Sequence, residues 1–179
     1  MIFSSKPLVL LCFLISAGLA KAESAREIKL HSAESAPIVA GTLQMQSDGS
    51  YKVSWDDAKF GDYFLSMRPF KCIEGPEELW CRIDYPYQNR RTISGADLTD
   101  LEYDLLFVWK NAGDYGINMW NGVYYKLADR DGVLTGVMHE IDMDVLAAPP
   151  EDGSLRPISN DMLDEADPDS HWLPRLTIE

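Results

Sequence analysis

The segment His139-Glu140-Ile141-Asp142-Met143-Asp144-Val145 sets a carboxylate at every second position from Glu140 to Asp144. Side chains of an extended strand alternate between its two faces. Glu140, Asp142 and Asp144 therefore share one face, and His139, Ile141, Met143 and Val145 share the other. Like charges along one face repel unless water or a cation neutralises them. The ordinary reading is the water-facing side of an edge strand. Paired carboxylates are also what acid–base hydrolysis requires. His139 stands on the apolar face, where a histidine is usually a hydrogen-bonded core residue. A hairpin pivoting on Asp131-Gly132 sets it opposite Tyr124. Tyr124, His139, Glu140, Asp142 and Asp144 are thus the candidate ligand-binding residues.

Other chemistry finds less support. The tail carries Asp161, Asp164, Glu165, Asp167, Asp169 and His171, but without the alternating acids and sixth-position glycine of a calcium-binding EF-hand loop. Asp167-Pro168-Asp169-Ser170 reads instead as a turn. No metal site is assigned. There is no G-x-S-x-G elbow and no glycine-rich phosphate loop, and His139-Glu140 lacks the second histidine of H-E-x-x-H. No catalytic residue and no cofactor is assigned. Arg90-Arg91 is a basic island that suits a carboxylate or phosphate, with a local salt bridge as its ordinary role. Tyr103, Phe107, Trp109, Tyr115, Trp120, Tyr124 and Tyr125 either fill a β core or line a ligand cavity.

Cys72 and Cys81 flank Glu74-Gly75-Pro76-Glu77-Glu78, a stretch with turn residues. A hairpin centred between Pro76 and Glu77 sets the two cysteines directly opposite each other, so they are expected to form a cross-strand disulfide. A redox-active pair would prefer C-x-x-C at a helix start, which is absent.

The elements that hold these residues are mostly strands. Thr42–Gln46 and Tyr51–Trp55 alternate on either side of Asp48-Gly49, a hairpin signal. Tyr63–Ile73 and Leu79–Tyr85 bear the cysteines. Ser94 is placed to cap a short helix reaching about Tyr103, and Leu105–Lys110 is an apolar run suited to a buried strand. Asn121-Gly122 and Asp131-Gly132 are turn signals that divide residues 117–146 into an expected three-stranded meander. Asn160–Ala166 is expected to make a helical turn or two. Trp172–Ile178 is expected as a last edge strand, because Pro174 lacks an N–H. The fold expected is mainly β: an antiparallel sandwich or small barrel with one or two short helices. Residues 23–40 read as a polar N-terminal arm of weak helical character, 41–148 as the β-rich core and 149–179 as an extension packed on it.

Residues 1–22 read as a signal peptide. Lys6 supplies a positive start, Leu8–Ile15 an apolar run too short to span a bilayer, and Ala20-Lys21-Ala22 a cleavage tripeptide. The mature chain would be periplasmic or secreted. Cleavage after Ala22 removes Lys6 and Lys21 and moves the net charge from −13 to −15. Such a field argues against nucleic acid as a partner, and no segment is apolar enough for a membrane span. The function read from the sequence is an exported small β-rich binding or interaction protein, its partner a small ligand or an envelope protein. The alternative is a carboxylate-dependent cell-envelope hydrolase.

Overall fold

Alternation of apolar and polar residues organises the chain from its first described strand. The structure is a computed structural model and describes residues 25–151 and 153–179. The signal peptide expected over residues 1–22 lies outside them. The strands are β1 (Ala25–His31), β2 (Ile38–Met45), β3 (Tyr51–Trp55), β4 (Gly61–Phe64), β5 (Pro69–Glu74) and β6 (Glu78–Arg82). A single turn-and-a-half helix, α1 (Thr99–Tyr103), precedes β7 (Phe107–Asn111), β8 (Gly122–Arg130), β9 (Val133–Ile141), β10 (Asp164–Glu165) and β11 (Arg175–Ile178). They build one antiparallel sheet in the order β3-β2-β1-β11-β9-β8-β7-β6-β5-β4, with β10 on β9 beyond β11.

Apolar residues cover the inner face of the sheet and, over β5–β9, part of the outer face. On the inner face, Ile28, Leu30, Leu43, Trp80, Phe107, Tyr125 and Leu176 form one cluster drawn from strands along most of the order. The sheet curls enough to bring Trp55 of β3 edge-on to Phe107 of β7, with ring centroids 5.6 Å apart. On the outer face, Leu79, Cys81, Val108, Tyr124 and Ile141 pack beneath Tyr103 of α1 and beneath Met143, Leu146 and Ile158. This is why Tyr124 and Tyr125 are both buried although they point to opposite faces. Among the described residues, no helix is long and apolar enough to cross a membrane.

The turn chemistry explains the hairpins that form. Arg130 pairs with Val133 across Asp131-Gly132, whose φ values of 56° and 87° match the two-residue hairpin such a pair favours. Met45 and Tyr51 close the β2–β3 hairpin, with Gly49 at φ 86°. Cys72 lies opposite Cys81 in the β5–β6 ladder, and the two are joined as a disulfide.

Four local expectations are corrected. Residues 25–40 are not helical: Ile28 and Leu30 alternate with Glu27, Lys29 and His31, and this two-residue period makes β1 a strand inside the sheet. Ser94 does not cap α1, because it bridges to Asp97 and the helix begins at Thr99. Asn121-Gly122 is not a turn. Gly122 opens β8 between Val108 and Ile141, where a Cβ would lie 2.3 Å from the Ile141 carbonyl oxygen, so residues 117–146 carry two long strands rather than three. Finally, β11 is no edge strand. It lies between β1 and β9, since Pro174 stops one residue short of it and accepts a hydrogen bond from the Met138 N–H.

Candidate functional site

The acidic segment changes character where β9 ends at Ile141. Asp142 caps a short 3₁₀ turn, Met143–Leu146, and its side chain accepts from the Asp144 N–H at 2.9 Å. Asp144 in turn accepts from the Trp120 indole N–H at 3.2 Å. Glu140 receives His171 Nε2 at 2.9 Å. The alternation expected through Val145 therefore stops four residues early. Glu140, Asp142 and Asp164 still line one open cleft of about 450 Å³, with Trp120 at its rim. Among the described residues, no three or more histidines, cysteines or acids are grouped to hold a metal ion.

Tyr124 and His139 do face each other in the β8–β9 ladder. They are not joined in one site. His139 contacts the Val137 carbonyl through Nδ1 at 3.1 Å and is partly exposed. Tyr124 is buried and donates its hydroxyl to Glu102, a carboxylate of α1 that is only 1% exposed. Burial, then the Glu102 charge, push the Tyr124 hydroxyl well above its ordinary pKa. The other Glu102 oxygen accepts the Leu127 N–H at 2.7 Å, and Lys126 Nζ lies 3.5 Å from the first. These contacts tie α1 to β8.

A second cleft, of about 480 Å³, opens between the end of β3, the end of β6 and the loop that follows it. Its apolar walls are Val53, Trp55 and Ile83, with Tyr85 and Tyr87 completing the aromatic surface. Two cations and two anions face it: Arg82, Arg91, Asp84 and Asp104. Asp104 accepts from the Tyr51 hydroxyl at 3.0 Å and from Arg91 Nε at 3.1 Å, so that ion pair is internally satisfied.

Arg82 differs. Trp80 and Arg82 share the inner face of β6, and the guanidinium carbon of Arg82 lies 5.0 Å from the Trp55 ring centre and 5.3 Å from that of Phe60. The side chain is 18% exposed, and its ion partner, Asp84, stands 3.9 Å away and is 88% exposed. No hydrogen-bond acceptor within the described residues reaches the guanidinium. Burial works against its charge, lowering its pKa from the ordinary arginine value, with only partial compensation from Asp84 and Asp57.

The loop wall is tied down. Asn89 donates to the Asp100 carbonyl at 2.8 Å and accepts the Arg91 N–H at 2.9 Å, and the Tyr51 N–H reaches the Arg91 carbonyl at 3.0 Å. The Tyr87 hydroxyl donates to the Leu146 carbonyl at 2.8 Å, and that of Tyr85 to the Leu155 carbonyl. Arg91 sits at φ 53°, a left-handed conformation uncommon outside glycine that these bonds hold in place. Of the Arg90-Arg91 island, Arg91 thus takes the local salt bridge. Sequence reasoning missed Arg82. The signal was an arginine at an inward position of an otherwise apolar strand, Leu79-Trp80-Cys81-Arg82. Comparison with protein-family models, with curated proteins and with solved structures finds no match for the chain.

Proposed function

We propose that the protein is an exported, non-catalytic binding protein whose ligand occupies the cleft beside Arg82. One observation carries this reading. An aromatic-walled cavity presents an arginine with no hydrogen-bond acceptor among the described residues, whereas the carboxylates of the acidic segment are engaged. Ligand sites typically combine apolar walls with a few polar groups that fix orientation, and this cleft has both. Export is supported by the signal-like residues 1–22 and by a disulfide compatible with an oxidising compartment. The alternative hydrolase has weaker support. Glu140 and Asp142 do line a cleft, but one is bound to His171 and the other caps a turn.

The test is ligand-dependent stabilisation of the purified protein. A small molecule that binds only the folded state raises the melting temperature, and the stabilisation grows with the logarithm of its concentration over Kd. A library of small polar aromatics is expected to yield hits whose amide chemical-shift changes cluster on residues 82–91. Hits that cluster instead around Trp120 and Glu140 would move the site to the acidic cleft.

A further inference from the structure

We infer that the cleft recognises a monoanionic carboxylate carried on an aromatic or aliphatic body, bound edge-on by the Arg82 guanidinium. The inference rests on the cleft being the ligand site and adds the ligand's chemical class. The Arg82 guanidinium lies over the rings of Trp55 and Phe60, contacts that fix the planar fork before any ligand arrives. A fork fixed in advance loses little further entropy on pairing with a planar carboxylate through two parallel N–H···O bonds. The missing acceptor is thus supplied by the ligand.

The charges around the cleft select the anion. Arg82 and Arg91 are balanced by Asp84 and Asp104, and the chain as a whole carries −13. Arg91 is already committed to Asp104. Asp84 stands 3.9 Å from Arg82, too far for a hydrogen bond, so the guanidinium faces the cavity with N–H groups open to one carboxylate. A phosphate dianion would meet both aspartates and the field of the whole molecule with only one arginine to offset them. Val53, Trp55 and Ile83 then suit an apolar body behind the carboxylate.

Benzoate, its neutral counterpart benzamide, and inorganic phosphate separate these possibilities. Binding is measured by titration calorimetry and by amide chemical shifts on the purified protein. Benzoate is expected to shift residues around Arg82 and to bind about tenfold or more tighter than benzamide, the range expected for a charge-assisted pair. Arg82→Gln should remove that advantage, and Arg82→Lys, which keeps the charge but not the fork, should retain part of it. If benzamide binds in the cleft as well as benzoate does, the cleft remains a ligand site and the carboxylate assignment is overturned. Phosphate binding tighter than benzoate overturns it too. If none of the three binds there, the cleft reading falls and the inference with it. Should Arg82→Gln fail to fold, the comparison of benzoate with benzamide on the unsubstituted protein decides alone.

Discussion

Glu102 shows how much one buried side chain can hold. Its carboxylate accepts from the Tyr124 hydroxyl and from the Leu127 N–H, both buried, and it meets Lys126 at the surface. Truncation leaves two buried donors without acceptors, each worth about 1–3 kcal/mol. Glu102→Ala is therefore expected to lower the unfolding free energy by about 3 kcal/mol in urea titrations. Glu102→Gln keeps one acceptor and an amide that can donate to the Tyr124 oxygen, so it should cost clearly less. Equal losses for the two variants would show that packing, not hydrogen bonding, is what Glu102 contributes. No local pattern announces this role. Asp100 and Glu102 are acids of a short helix, and only the fold turns them inward. The same holds for the site. Tyr124 opposite His139 is legible from a two-residue turn, because ladder register follows from turn length. That Trp55 meets Arg82 depends on how the sheet curls, which no local pattern encodes.

At the scale of elements, the β5–β6 hairpin is the clearest case of local sequence deciding structure. Turn residues placed Cys72 opposite Cys81, and the bridge they form lies across neighbouring strands buried under α1 and the Met143–Leu146 turn. The bridge spans nine residues of sequence, for which the chain-entropy model gives roughly 2–3 kcal/mol. Cys72→Ala combined with Cys81→Ala should lose about that much in chemical denaturation while keeping the far-ultraviolet β signal, since Ile73–Trp80 and Trp80–Trp109 pairing persists. Loss of the β signal would mean that the bridge, and not the ladder, defines the hairpin. Elements misread from sequence failed for tertiary reasons. Asn121-Gly122 carries turn chemistry, yet here the glycine serves close approach to the Ile141 backbone. The Trp172–Ile178 segment carries an edge-strand proline, yet Pro174 falls just outside β11, and the strand is interior because β1, about 145 residues earlier, pairs with it.

For the whole molecule the dominant surface fact is charge. The chain holds 16 basic and 29 acidic residues. Among the described residues, the ion pairs that offset this include pairs at the surface: Lys71 with Asp62 at 2.9 Å, and Lys29 with Glu27 at 3.1 Å and with Glu179 at 2.6 Å. Exposed pairs contribute at most about 1 kcal/mol each and weaken in salt. Repulsion among the excess acids acts over longer range and opposes the compact state, where those charges are closest together. The screening length shortens from about 30 Å at 10 mM salt to about 10 Å at 0.1 M, so salt removes the long-range repulsion before it weakens contacts at about 3 Å. The melting temperature at neutral pH is therefore expected to rise by about 2–4 °C between 10 mM and 0.3 M sodium chloride and then to level off, the shift that about 1 kcal/mol produces in a domain of this size. The same screening should slow association with any cationic partner, while a carboxylate seated against Arg82, inside a cleft, should lose little affinity. A melting temperature that falls over this range would show that short-range pairs such as Arg156 with Asp97 and Asp100 outweigh the net repulsion.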